Sequence, residues 1–453
     1  MKKVKVLSII VLFAISGCSV NSGFEQYPNK TLDKSFPVNS AYNINTTWWK
    51  SYNDTALNTL IEISLANNID LAQSAIKVNK ALYEANLVGA DLVPTFNGSL
   101  RGSASKNIKE GGSSNRNVNG SLGISYEIDL WKRLADTTDS KEWAYKATEQ
   151  DLESAKLTLI NNVIDSYFNL KYLNSSYSIT NEDLKNYQKI YDITLNKFNN
   201  GLVSQLEVVQ AKQSIDSNKK TLNNLKLQIK NEETTLKNLL NFKPNDNIYL
   251  GNKDIMEFSL QGVDLNIPVS TIANRPDLRA KEYTLIRSFK NKQVAEKAIY
   301  PSISISSTLS SSGTTANNMF SVPVVAGNIN ISLPFLDWNH IKWNTKLSEA
   351  DYNLAKLDFE KNIVSALNEI DTYYYTYKNY EQNYNYSEIQ YKDALKIQQY
   401  YKIRYEQGVN ELSDWLNAIK TTNAERQSIL EAKYKLLSSE NNVYKAMAGK
   451  YNK

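Results

Sequence analysis

Two places in this 453-residue sequence combine residue types and spacing that imply chemistry. The first is Cys18, the only cysteine, which directly follows Ile15-Ser16-Gly17. Ahead of it stand Lys2, Lys3 and Lys5 and an apolar run over residues 6–15. A basic start, a short apolar stretch and small residues before a cut site make residues 1–17 a signal peptide. The cysteine that follows it fits a bacterial lipobox. There the thiol takes up diacylglycerol, and cleavage makes the cysteine the new, acylated N-terminus. Each buried methylene of such a lipid contributes about 0.8 kcal/mol, so a multiply acylated cysteine is a durable anchor.

The second place is double. "KFNNGLVSQLEVVQA" (197–211) and "RYEQGVNELSDWLNA" (404–418) each set a basic residue and an aromatic before a glycine. An acid follows six places after the glycine, Glu207 in one stretch and Asp414 in the other. The glycines, Gly201 and Gly408, lie 207 residues apart. Little else suggests reactivity. The single histidine, His340 in "DWNHIKW", has no evident partner and is expected to pack or hydrogen-bond at a strand-to-helix junction. The sequence carries no phosphate loop, no G-x-S-x-G and no metal-ligand cluster, so no enzyme, no cofactor and no metal is expected. Removal of the leader lysines leaves 49 basic against 47 acidic side chains, a charge of +2. That gives no footprint for nucleic acid.

The offset of 207 extends to the elements that must carry these residues. "ANNIDL" (66–71) lies over "ANRPDL" (273–278), Pro94 over Pro301, and Trp131 over Trp338. One large unit is duplicated, over residues 66–242 and 273–448. Residues 18–65 form a lipidated N-terminal segment with a first helix, 243–272 a turn-rich linker, and 449–453 a tail. Each unit opens with a helix and then carries a strand pair, about 95–130 and 302–336. From 118 to 130 apolar residues or glycine fill every even position, while polar residues and Gly123 fill the odd ones; the second copy alternates likewise from Val325. Such strands are long enough to cross a bilayer at a tilt, but four cannot close a barrel, which starts at eight. An open sheet edge in lipid would leave backbone groups unpaired, so a barrel would have to be shared between chains.

Long helices follow each pair. Residues 134–199 contain neither glycine nor proline, which at 1.5 Å per residue predicts a helix of about 100 Å. Gly201 turns it into a shorter return helix; the copy turns at Gly408. A 4,3-spaced stripe (Tyr373, Tyr377, Tyr380, Tyr384, Ser387, Tyr391, Ala394, Gln398, Tyr401, Tyr405) marks a coiled-coil seam on the second long helix.

Leader and lipobox, duplicated strand pairs and helical hairpins, "ANRPDL" and the G-x5-[DE]-x3-A turn together resemble the TolC family of outer-membrane factors, in its lipidated OprM-like branch. Ser19 supports the outer membrane, since an aspartate there is the usual inner-membrane retention signal. The resemblance spans essentially the mature chain. It implies a mainly α fold with membrane β: a homotrimer with a twelve-stranded barrel in outer-membrane lipid and a helical tube across the periplasm. It further implies an exit duct for an inner-membrane transporter of the resistance-nodulation-division type, joined by a periplasmic adaptor at the tips near Gly201 and Gly408. An exit duct for type I protein secretion is the alternative. A closed tip is implied to use Asp414 and Tyr405. Asn417 stands where the family has a second acid, and Asn410 replaces its latching arginine. Glu207 is the first copy's counterpart of Asp414. The plainer alternative for both acids is a solvated carboxylate in a first helical turn, where the dipole favours it; Glu207 fits that better, Asp414 the gate.

Overall fold

The computed structural model describes residues 43–106, 108, 114–263 and 269–452. The leader, Cys18 and Ser19 lie outside the described residues. In chain order the elements are β1 (Asn43–Asn45), α1 (Thr55–Asn67), α2 (Ile69–Gly89), β2 (Thr95–Ser105), β3 (Asn115–Ile128), α3 (Arg133–Asn199), α4 (Gln205–Leu240), α5 (Pro276–Lys297), β4 (Ser302–Gly313), β5 (Pro323–Ser332), α6 (Trp338–Glu406), α7 (Leu412–Ala446) and β6 (Lys450–Asn452). The duplication is visible in these limits. Helices α2 and α5 start 207 residues apart, α3 and α6 end 207 apart, and α4 and α7 start 207 apart. No helix among the described residues is long and apolar enough to cross a membrane.

Both copies of the A-N-x-x-D-L motif prove to be helix starts. Asn68 caps α2, accepting a hydrogen bond from the Leu71 amide and donating to the Leu239 carbonyl. In the second copy Pro276 opens α5, where its missing N–H is no loss. Arg275 beside it is almost fully buried, and donates to Asp277, Glu369 and the Ala446 carbonyl.

Strands β2, β3, β4 and β5 form one antiparallel sheet in that order, so the two pairs join through β3 and β4. Two strands end short of the alternation in the sequence. Strand β3 stops at Ile128 because Asp129 turns back to cap α3, accepting from the Leu134 and Ala135 amides. Strand β5 stops at Ser332 because Pro334 cannot donate to the ladder and starts a 3-10 turn instead.

The main core lies where the hairpin bases meet the chain ends and the linker. Trp48 and Tyr52 from the start, Tyr167 and Phe168 of α3, Leu240 of α4, Phe258 of the linker and Tyr444 of α7 are all buried there. Fully buried Glu440 ties this region together. It accepts from the Gln261 and Gly262 amides, both at 2.7 Å, and from the Tyr52 hydroxyl at 3.0 Å. Every member of the 4,3-spaced stripe on α6 is buried or half-buried, and its first four tyrosines pack on Leu436 and Val443 of α7 and on Met447 just after it.

Candidate functional site: a two-faced sheet and the hairpin tips

The register of the sheet sorts its side chains onto two chemically opposite faces. Directly paired residues share a face, so Phe96, Ile124 and Ser307 lie together, as do Leu122 and Leu309, and Ile305 and Ile329. That face carries Ile, Leu, Val, Phe, Ala, Pro, Gly, Tyr126 and a few serines, with one charge, Arg116, opposite Ala104 near the outer end of β3. The other carries Asn97, Ser99, Arg101, Asn119, Ser121, Ser125, Ser304, Ser306, Asn328 and Asn330. Hydroxyl pairs such as Ser99–Ser121 and Thr95–Ser125, each at 2.8 Å, cross it. Strands β2 and β5 are the sheet's edges, and both are exposed along their whole length.

The hairpin tips repeat one turn twice. At the first, the Leu202 amide donates to the Lys197 carbonyl and the Gly201 amide to that of Phe198. At the second, Val409 donates to Arg404 and Gly408 to Tyr405. The glycines have φ of 73° and 72°, the left-handed geometry this helix ending requires. Inside the tips, Tyr187, Ile190, Ala211, Ile215, Tyr405, Leu412, Leu416 and Ile419 form one apolar cluster drawn from all four tip helices.

Asp414 lies in the first turn of α7. Its carboxylate accepts from Asn410 Nδ2 at 2.7 Å, and Asn410 Oδ1 in turn accepts from Arg404 Nε. The chain that lacks an arginine at 410 thus has one at 404, reaching the acid through an amide. Asp414 and Asn417 share a cleft between α6 and α7 with Asp393, Thr421 and Glu425. Tyr405 is buried, with its ring stacked on Trp415 at 5.4 Å and Lys197 Nζ 4.3 Å from its centroid. The basic residue of one copy of the motif therefore packs on the aromatic of the other. The Tyr405 hydroxyl is buried with no hydrogen-bond partner among the described residues, so its ring, not its hydroxyl, makes the contacts. Glu207 stays apart, in the first turn of α4 on the other hairpin, with no side-chain bond among the described residues.

Other placements differ from expectation or were missed. His340 neither packs nor hydrogen-bonds among the described residues; it is exposed in the first turn of α6. Two tip contacts escaped sequence reading: the relay from Arg404 through Asn410 to Asp414, and the stacking of Trp415 on Tyr405. The basic position of the repeated motif was the available signal for the first. A further group, Asp183 of α3, is buried at the floor of a 420 Å³ cleft between α3, α4 and α7. Nothing in its spacing marked it. Among the described residues, no group of three or more histidine, cysteine or acidic side chains could hold a metal.

Comparison with known proteins places this geometry. The family model described as "Outer membrane efflux protein" matches residues 60–241 and 267–449, one match per copy. The chain is 43% identical over 446 residues to "Toxin and drug export protein A" of Aggregatibacter actinomycetemcomitans, covering 98% of each. It is 26% identical to "Cation efflux system protein CusC" of Escherichia coli K12, over 99% of this chain and all of that one. Among solved structures, the Campylobacter jejuni CmeC outer membrane channel superposes with a TM-score of 0.82 at 27% identity, covering 91% of this chain and 89% of that one.

Proposed function

The chain belongs to the outer membrane efflux protein family, and from that premise we propose that it is the exit duct of a tripartite efflux system, conducting small molecules passively outward from an inner-membrane transporter. The observation that carries this reading is the two-faced sheet joined to paired helices of great length. At 1.5 Å per residue the 67-residue α3 extends about 100 Å. The apolar face suits lipid, the serine- and asparagine-rich face suits a wet lumen, and the exposed edge strands require other copies to pair with. The protein resides in the outer membrane, with a large periplasmic helical part.

The finer assignments are part of the proposal. Three copies share a twelve-stranded barrel, Cys18 carries the lipid, the tips around Gly201 and Gly408 face an adaptor and the transporter, and Asp414, held by Asn410 and Arg404, charges a constriction. No catalysis or cofactor is involved. Deletion of the gene should sensitise the cell to exported compounds, and the chain supplied in trans should restore resistance. Unchanged susceptibility across dyes, detergents, antibiotics and metal ions would sink the efflux reading. A second reading is favoured by one observation, the name of the 43%-identical relative, which couples toxin with drug export. Loss of a secreted protein from the same deletion strain would support a duct serving protein secretion.

A further inference from the structure

The polar face of the sheet is nearly free of charge. Counting alternate residues along β2 to β5 through their register, only Arg101 and Glu127 on it are ionisable. Glu127 is neutralised at the periplasmic end of β3, where Arg133 Nη2 approaches Glu127 Oε1 at 2.7 Å. Arg101 has no such partner. It is exposed, it faces Asn119 across the ladder, and it makes no ion pair or side-chain hydrogen bond among the described residues. It lies four residues below the outer end of β2. One uncompensated guanidinium therefore stands on a serine- and asparagine-lined wall.

We infer that Arg101 is a selectivity residue of the channel: in the assembled barrel its copies form a ring of positive charge below the outer mouth that favours anionic solutes and binds multivalent anions. The inference rests on the shared-barrel reading above. Twelve strands spaced 4.8 Å apart and tilted by about 40° close at a backbone radius of about 12 Å. An inward guanidinium then sits within one screening length of the axis, since that length is about 10 Å at 0.1 M salt. Neutral hydroxyl and amide walls leave its field unopposed, and rings of arginine or lysine are how pores favour anions and phosphates. Lys106, just beyond the end of β2, adds charge of the same sign at the rim.

The test uses the purified full-length protein in planar bilayers under a potassium chloride gradient, with inorganic triphosphate as the probe on the barrel side. Wild type and Arg101→Lys should be blocked by triphosphate. Arg101→Gln should need at least tenfold more, and its reversal potential should move towards cation preference. Calorimetric titration of triphosphate into the detergent-solubilised oligomer reads the same ring without current, and there too Arg101→Gln should bind at least tenfold more weakly. Normal insertion of Arg101→Gln with unchanged reversal potential, block and binding would overturn the inference while leaving the barrel intact. A protein that stays monomeric with its sheet formed would overturn the barrel reading, and this inference with it.

Discussion

Asp183 shows what a single buried group does in this fold. Its side chain is 6% exposed and has no hydrogen bond or ion pair among the described residues. Loss of solvent pushes its carboxyl up to about 6; the Arg426 guanidinium pulls it back down and Glu182 adds to the rise. Tyr187 on α3 and Lys420 on α7 also line its cleft, and α4 contributes only neutral side chains there. The sign follows from linkage. Between an unfolded value near 4 and the folded value near 6, the folded chain holds a proton that the unfolded chain does not. Stability from this group therefore rises as pH falls from about 7 to about 4. Asp183→Asn should raise the thermal midpoint at pH 7.5 and flatten that slope; an unchanged slope in pH-series melts would refute it. Tyr405 makes the opposite case. Because its hydroxyl has no partner, Tyr405→Phe should leave stability within about 1 kcal/mol of wild type. Tyr405→Ala, which removes the Trp415 stack, should cost about 3–5 kcal/mol by denaturant unfolding. Neither role was legible in the sequence, because both depend on which helix faces which across the hairpins.

At the scale of elements most was legible, and the exceptions have local causes. Strand alternation has period 2 and helix periodicity 3.6, so a duplicated pattern announces both. What it could not announce was Asp129 abandoning the strand to cap a helix, or a relay built from Arg404 and Asn410 across a turn. The return helices end with the same left-handed cap as the tips, made by Asn241 at φ 56° and Ala448 at φ 57°, which are again 207 apart. Left-handed geometry is thus tolerated without glycine where packing supports it. At Gly408 a Cβ would meet no atom within 4 Å, so only backbone strain would oppose a side chain. Gly408→Ala should cost about 1–2 kcal/mol, and Gly408→Asn less, since asparagine also serves at this position. Hydrogen exchange of the 404–414 amides should quicken in the same order; equal protection in both variants would contradict this.

For the whole molecule, the unpaired edges of β2 and β5 set the expectation of assembly. Native mass spectrometry in detergent should find three copies; a dimer would give an eight-stranded closure instead, and a stable monomer would refute closure altogether. The N-terminal peptide should carry lipid on Cys18, and an unmodified thiol or a cut elsewhere would refute that. One further contact set bears on how the molecule comes to exist. Strand β1 pairs with β6, Trp48 Nε1 donates to Asn441, and the Tyr52 hydroxyl donates to Glu440, contacts spanning up to 409 residues, from Asn43 to Asn452. Residues 43–52 therefore have no seat until residues 440–452 exist. Closing so long a loop is entropically costly and comes late. A chain crossing into the periplasm stays unclasped until residues 440–452 are delivered. A ribosome that stops before residue 440, or a protease that cuts there, releases a chain whose residues 43–52 find no partner, and α7 becomes a check that synthesis reached it.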